Sequence, residues 1–247
     1  MAEGEVVNVI TKEPPMMGQE IGLNLLSKST TLKLIKVKEF PRWIYTVLDA
    51  GNRDLFGVYN GTEDCAGCCR SCVFGPVSAS FTAYMKQSNI VDSLPVMSFE
   101  RPLRLQSGLK GFFCCCLGQE MNIEAPPGRR IASISEDYNI LGTSLTIYDA
   151  KGKPILKVLG PTLPPYSPCA MRLSIFKVQT MTGTLVGEIR LAGSKEELIS
   201  LSFPVNLDVH IKGSLIGCAI LAAFMFRLEG FTYTCCQVFG IFADLSK

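Results

Sequence analysis

Ile199-Ser-Leu-Ser-Phe-Pro-Val-Asn-Leu-Asp-Val-His-Ile211 puts an apolar residue at every second position, and Gly213 to Phe226 (GSLIGCAILAAFMF) then drops that alternation for a stretch without a charge. A period of two is the signature of a strand with one face buried. It predicts a strand running to Ile211, with Ser200, Ser202, Asn206, Asp208 and His210 on the other face and Pro204 marking an edge or a bulge. The 14 residues that follow predict a helix that is apolar on all sides, carried by Leu215, Ile216, Ile220, Leu221, Phe224 and Met225. Such a helix must be surrounded by apolar material, either lipid or protein. At ~1.5 Å per residue it covers about two thirds of a ~30 Å hydrocarbon core, which favours a buried core helix or an interfacial segment over a true span. Strands closing into a barrel around this helix would satisfy both halves of the pattern.

The rest of the chain fits that reading. Alternation recurs in Glu120 to Ala125, in Leu145 and Ile147, in Leu173 and Ile175, and in Leu185, Gly187, Ile189 and Leu191. Turn chemistry separates these runs at Asp49-Ala50-Gly51-Asn52, Asn60-Gly61, Pro126-Pro127-Gly128, Lys151-Gly152-Lys153 and Thr182-Gly183. Many short strands with frequent turns predict a mainly β fold, a sandwich or a barrel. Residues 1 to about 23 hold Gly4, Pro14, Pro15 and Gly18 and read as a short flexible leader. With 247 residues, 47% of them hydrophobic, the chain can bury a large core without disulfides or metals.

Charge excludes one class of partner. Against 22 Asp and Glu stand 24 Lys and Arg, a net +2, which gives no footprint for nucleic acid. Glu3 and Glu5 sit where a signal peptide would be basic, so a cytosolic chain is expected, with its 11 cysteines reduced. Neither a myristoylation nor a prenylation signal is present, and Asn60-Gly61-Thr62 reads as a turn. The single histidine, His210, excludes machinery needing two, and its strand position makes it a solvated side chain. Nucleophile-elbow, phosphate-loop and dinucleotide motifs are all missing, so the chain is not expected to be an enzyme.

The cysteines are clustered. Cys65, Cys68, Cys69 and Cys72 could hold zinc, although two CxxC steps in eight residues are compressed for paired knuckles; a loop of thiols is the alternative. Cys114, Cys115 and Cys116 follow Phe112-Phe113 beside Lys110. Three consecutive strand residues cannot all face one core, and S-acylation of this triplet is the functional reading. Each buried methylene contributes ~0.8 kcal/mol and one chain anchors only marginally, so two or three acyl chains would bind a barrel stably to a membrane.

The sequence resembles the phospholipid scramblases. The resemblance is carried by Phe99-Glu100-Arg101-Pro102-Leu103 before the cysteine triplet, Gln119-Glu120, Glu124-Ala125-Pro126-Pro127-Gly128, Leu159-Gly160-Pro161, Phe203 to Val209, and Ile216-Gly217-Cys218 into Phe224-Met225-Phe226, with the Cys65 to Cys72 cluster. It runs from about residue 24 to about 229 and implies a tubby-like fold, a closed twelve-stranded β-barrel around a central apolar helix. It also implies palmitoylation at Cys114 to Cys116 and a calcium-stimulated, energy-independent, bidirectional movement of phospholipids between leaflets.

Two departures qualify what the resemblance implies. The family's calcium segment has acids at its first, third and twelfth positions; here that run is Lys195 to Asn206, with Lys195 in place of the first acid and Asn206 at the last. The oxygen donors in and beside it are Glu196, Glu197, Asn206 and Asp208, few for a cation that takes six to eight oxygens. Residues 1–23 do not resemble the family's long proline-rich leader, so the interactions made by that leader are not expected here.

The expected organisation is therefore a leader over 1–23, a scramblase-like barrel over 24–229 with its helix at 213–226, and a tail over 230–247. Two functions are compatible with it. One is a scramblase acyl-anchored at the cytoplasmic face of the plasma membrane, acting on membrane phospholipids with its helix meeting lipid, as a homo-oligomer or by local thinning of the bilayer. The other is an acyl-anchored tubby-like binding or adaptor module whose helix stays in the barrel and which transports nothing.

Overall fold

The computed structural model describes residues 22–36, 43–60, 79–85, 95–102, 118–137, 142–161, 173–192 and 198–226. The strands are β1 (Thr31–Lys36), β2 (Trp43–Asp49), β3 (Asp54–Asn60), β4 (Ala79–Met85), β5 (Pro95–Arg101) and β6 (Glu120–Glu124), then β7 (Arg130–Glu136), β8 (Ser144–Asp149), β9 (Pro154–Leu159), β10 (Leu173–Thr180), β11 (Leu185–Ala192) and β12 (Leu198–Ser202). A 3-10 helix, Leu23–Leu26, precedes them and an α-helix, α1 (Val209–Phe226), follows. Each strand pairs antiparallel with its neighbour in sequence, and β1 pairs with β12, Leu32 opposite Leu201, so the sheet closes into a twelve-stranded barrel. Closure leaves no unpaired edge.

Alternation decides what fills the barrel. Leu32 and Leu34, Phe56 and Val58, Phe81 and Ala83, Met97 and Phe99, Met121 and Ile123, Ile134, Leu145 and Ile147, and Leu156 and Val158 all point inward and are inaccessible to solvent. They enclose α1, where Ile216, Cys218, Ala219, Ile220, Leu221 and Ala222 are fully buried and Leu215 and Met225 nearly so. Burying Leu215, Ile216, Ile220 and Leu221 contributes roughly 6–12 kcal/mol relative to exposure, an upper estimate. The helix passes so close to the wall that a Cβ on Gly217 would lie 2.6 Å from Ile123 Cδ1 and 3.0 Å from Phe99 Cδ1. Protein, not lipid, surrounds the apolar helix.

Several expectations are corrected. The strand predicted to reach Ile211 ends at Ser202, and the helix expected from Gly213 begins at Val209. Pro204 has no N–H to continue the ladder, and the Asp208 carboxylate accepts from the His210 N–H at 2.8 Å and the Ile211 N–H at 3.4 Å, capping the helix. His210 is consequently a half-buried residue of the first helical turn. In β10 the inward set is Ser174, Phe176 and Val178, leaving Ile175 exposed, because a two-residue period admits either phase and the bulkier Phe176 takes the core. Leu23, placed by sequence in the leader, is buried in the 3-10 helix.

Strand parity sorts the connections between the two ends of the barrel. One end, the hairpin rim, carries the tight turns 50–53, 125–129, 150–153 and 181–184, the 3-10 helix and the N-terminus of α1. The far rim carries the strand ends that flank residues 37–42, 61–78, 103–117, 138–141, 162–172 and 193–197, and the C-terminal end of α1.

Candidate functional site

Cys114, Cys115, Cys116 and the Cys65, Cys68, Cys69, Cys72 cluster lie outside the described residues, but the strand ends from which both segments depart are described. Asn60 and Ala79 flank one segment, Arg101 and Glu120 the other, and all four sit at the far rim. That rim is the candidate site.

Its construction starts from the alternation of β5. Met97 and Phe99 face the interior, and the next inward position is Arg101, only 2% exposed. There its guanidinium closes the far end of the apolar interior. Nε donates to Gln119 Oε1 at 3.0 Å and Nη2 donates to the same oxygen. Burial pushes the guanidinium down to about 10, which leaves it charged at neutral pH. Gln119 is itself 1% exposed; its N–H donates to Glu136 Oε2 at 3.0 Å, and the Glu136 N–H donates to the Gln119 carbonyl at 2.8 Å. Gly118 is needed at this approach, since a Cβ would come within 2.9 Å of the Glu136 carbonyl oxygen. Beside it Asp137 accepts from Ser144 Oγ at 2.7 Å and Thr146 Oγ1 at 2.8 Å. The roots of segment 103–117 are thus fixed on both sides by buried polar contacts.

The hairpin rim is closed by a second buried cation. Lys212, in the first turn of α1, is inaccessible to solvent, and its Nζ shares its three N–H donors among the carbonyls of Val205 (2.8 Å), Ser27 (2.9 Å), Leu26 (3.0 Å) and Ser29 (3.0 Å). Burial lowers its pKa, opposed by the nearby Asp208 carboxylate. The ammonium sits 5.4 Å from the Phe203 ring centroid. Next to this plug lies a groove of about 680 Å³ lined by Ser27, Lys28, Asp49, Arg53, Leu55 and Met85. Asp49 accepts there from the Arg53 backbone N–H at 2.9 Å and Nε at 2.7 Å.

Two of the four candidate calcium ligands lie within the described residues. Glu196 and Glu197 lie outside the described residues, in a segment flanked by Ala192 and Leu198 at the far rim. Asn206 is exposed and Asp208 caps α1, both beyond the other end of β12. Among the described residues no group of three His, Cys, Asp or Glu is placed to hold a metal ion. Of the helix residues, Leu215, Ile216, Ile220, Leu221 and Met225 face the interior, and Phe224 belongs to the last turns of α1. Cys218, the one cysteine among the described residues, is fully buried, and burial pushes its thiol up to about 12. No helix among the described residues is long and apolar enough to cross a membrane.

The Arg101–Gln119–Glu136 chain and the Lys212 plug were not legible as sites in the sequence. Arg101 and Gln119 do stand in two of the quoted motifs, on either side of the cysteine triplet, which is the signal that could have joined them.

A Scramblase family model matches residues 45–227. Mouse phospholipid scramblase 1 is 32% identical over 68% of this chain and 51% of its own length, and the human protein of the same name is 32% identical over 70% and 54%. Human phospholipid scramblase 2 is 27% identical over 86% of this chain and 72% of its own length. The chain spans about half the length of the first of these relatives. Among solved structures, an Arabidopsis thaliana protein covers 78% of this chain at 10% identity with a TM-score of 0.44.

Proposed function

We propose, from the premise that this chain belongs to the scramblase family, that it moves phospholipids between the leaflets of a bilayer in both directions without an energy source. Family membership over residues 45–227 carries this reading. The barrel acts from the cytoplasmic face of the plasma membrane, held there by acyl chains on Cys114, Cys115 and Cys116, whose segment departs from the far rim. Moving a headgroup through hydrocarbon requires a hydrated or thinned path, because each unsatisfied polar group there costs several kcal/mol. A helix enclosed in a closed barrel does not wall such a path, so the path is formed by thinning of the bilayer against the protein or between copies of it. Calcium stimulation belongs to the same reading, with Glu196, Glu197, Asn206 and Asp208 as its candidate donors.

One observation favours a second reading. With α1 sealed inside the barrel, the fold serves equally as an acyl-anchored module that binds lipid or a partner and transports nothing.

Purified protein reconstituted into liposomes with a fluorescent lipid and an outside-only quencher decides between them, run with and without calcium. Scrambling exposes the inner-leaflet label to the quencher. Full protection of that label in both conditions, at a protein density of several copies per vesicle, would overturn the transport reading. Membrane fractionation of a Cys114→Ser, Cys115→Ser, Cys116→Ser variant tests the anchor, which is wrong if the variant stays with the membrane.

A further inference from the structure

Three consecutive hairpins, β6–β7, β8–β9 and β10–β11, end side by side at the hairpin rim. Neighbouring strands lie about 4.8 Å apart, so successive hairpin tips are about 10 Å apart. The first carries Arg129 and Arg130, the second Lys151 and Lys153, and all four are exposed. The β7–β8 pairing runs to Ala132 opposite Asp149, so the first two tips adjoin. The third tip carries no charge but exposes two large apolar side chains, Met181 at 51% and Leu185 at 61%.

Segregation makes this arrangement more than a solvated rim. The chain as a whole is nearly balanced in charge, and acids are present at these same tips. They are turned into the turns: Asp149 Oδ1 accepts from the Lys151 N–H at 2.9 Å and the Lys153 N–H at 2.8 Å, and Glu124 Oε2 from the Gly128 N–H at 2.7 Å. Thr180 Oγ1 plays the same part in the third turn, accepting from the Thr184 N–H at 3.1 Å. Gly128, Gly152 and Gly183 adopt the positive φ these turns require, with open space where a Cβ would point. The tips are preformed, project from the barrel and present cations and apolar side chains outward.

We infer that this rim docks on an anionic phospholipid surface, Arg129, Arg130, Lys151 and Lys153 meeting headgroup phosphates and carboxylates while Met181 and Leu185 enter the headgroup–acyl boundary. Cations flanked by exposed apolar side chains match the two layers of a membrane interface. A nucleic-acid backbone would use the cations and leave Met181 and Leu185 without a partner. The contact is independent of both transport and acylation, because the strand ends that carry segment 103–117 lie at the opposite rim.

Full-length chain made in bacteria, and so without acyl chains, is tested by flotation with phosphatidylcholine vesicles with and without phosphatidylserine. Expected is binding to the phosphatidylserine vesicles only, weakening with salt. Each cation near an anionic surface strengthens binding about fivefold, so replacing Arg129, Arg130, Lys151 and Lys153 together by Gln should weaken it at least tenfold. Met181→Ser with Leu185→Ser should weaken it severalfold while keeping its salt dependence. Thermal melts check that each variant folds, and Arg130→Glu with Lys151→Glu serves if the quadruple variant does not. Absence of wild-type binding, binding unchanged in the cation variants, or tighter cation-dependent binding to a fluorescent oligonucleotide than to phosphatidylserine would overturn the assignment.

Discussion

Arg101 Nε donates to Gln119 Oε1 at 3.0 Å across the roots of the segment that holds Cys114 to Cys116, with both residues buried in the far rim of the barrel. The two partners are unequal. Gln119→Leu takes the Oε1 acceptor away from a buried guanidinium and should cost about 3 kcal/mol, whereas Arg101→Leu removes the charge along with its hydrogen bonds and should cost about 1–2 kcal/mol. Urea denaturation of both variants and of the double variant checks this. The double variant should lose less than the two singles added together, and strict additivity would show that the pair is not coupled.

Lys212 joins α1 to residues 26–29 and to Val205 through four carbonyl oxygens. Lys212→Met keeps most of the apolar stem and removes the ammonium, leaving those carbonyls without their donor. A loss of about 2–4 kcal/mol is expected, with faster hydrogen exchange at the Ser27 and Ser29 amides, which belong to the segment it holds. Exchange that speeds up equally throughout the barrel would contradict a local plug.

Asp208 gives the helix start a pH dependence. Burial pulls its carboxyl up, but hydrogen bonds from the His210 side chain and backbone and from the Ile211 amide outweigh it, and the pKa lies below the usual aspartate value. Stability from such a group is fully present above the unfolded-state pKa, about 3.9, and is lost as pH falls through the lower folded-state value. Asp208→Ala should therefore cost about 1 kcal/mol at pH 7, with the gap to wild type closing below about pH 4. Thermal melts from pH 7 to pH 3 show whether the two curves converge.

Leu221 tests the packing of the helix. It is fully buried, so Leu221→Ala should destabilise the barrel by about 2–5 kcal/mol with no change in its fold, and Leu221→Asp should prevent folding. A folded Leu221→Asp protein with only weakened membrane binding would place this residue against lipid instead.

The barrel was legible because two independent periodicities agreed: strands alternating every two residues around a large apolar surface, and one charge-free helix needing apolar walls. The boundary between them was not, because Val205, Leu207, Val209 and Ile211 continue the alternation of β12 past the point where Pro204 ends it and Asp208 opens α1. Phase was equally hidden in β10, where Ile175 and Phe176 compete for one interior position. The polar closures at either rim depend on residues far apart in sequence, Lys212 Nζ reaching Leu26 across 186 positions, so only the closed sheet reveals them.

The account turns on α1 remaining inside a closed barrel when the protein meets a bilayer. Deuterium uptake of residues 211–223 and of the β1–β12 seam, compared with and without phosphatidylserine vesicles, tests this most directly. Slow exchange in both regions, unchanged by vesicles, is the predicted result. A joint loss of protection in α1 and at the seam on adding vesicles would mean that the barrel opens and releases its helix to lipid, and would contradict it.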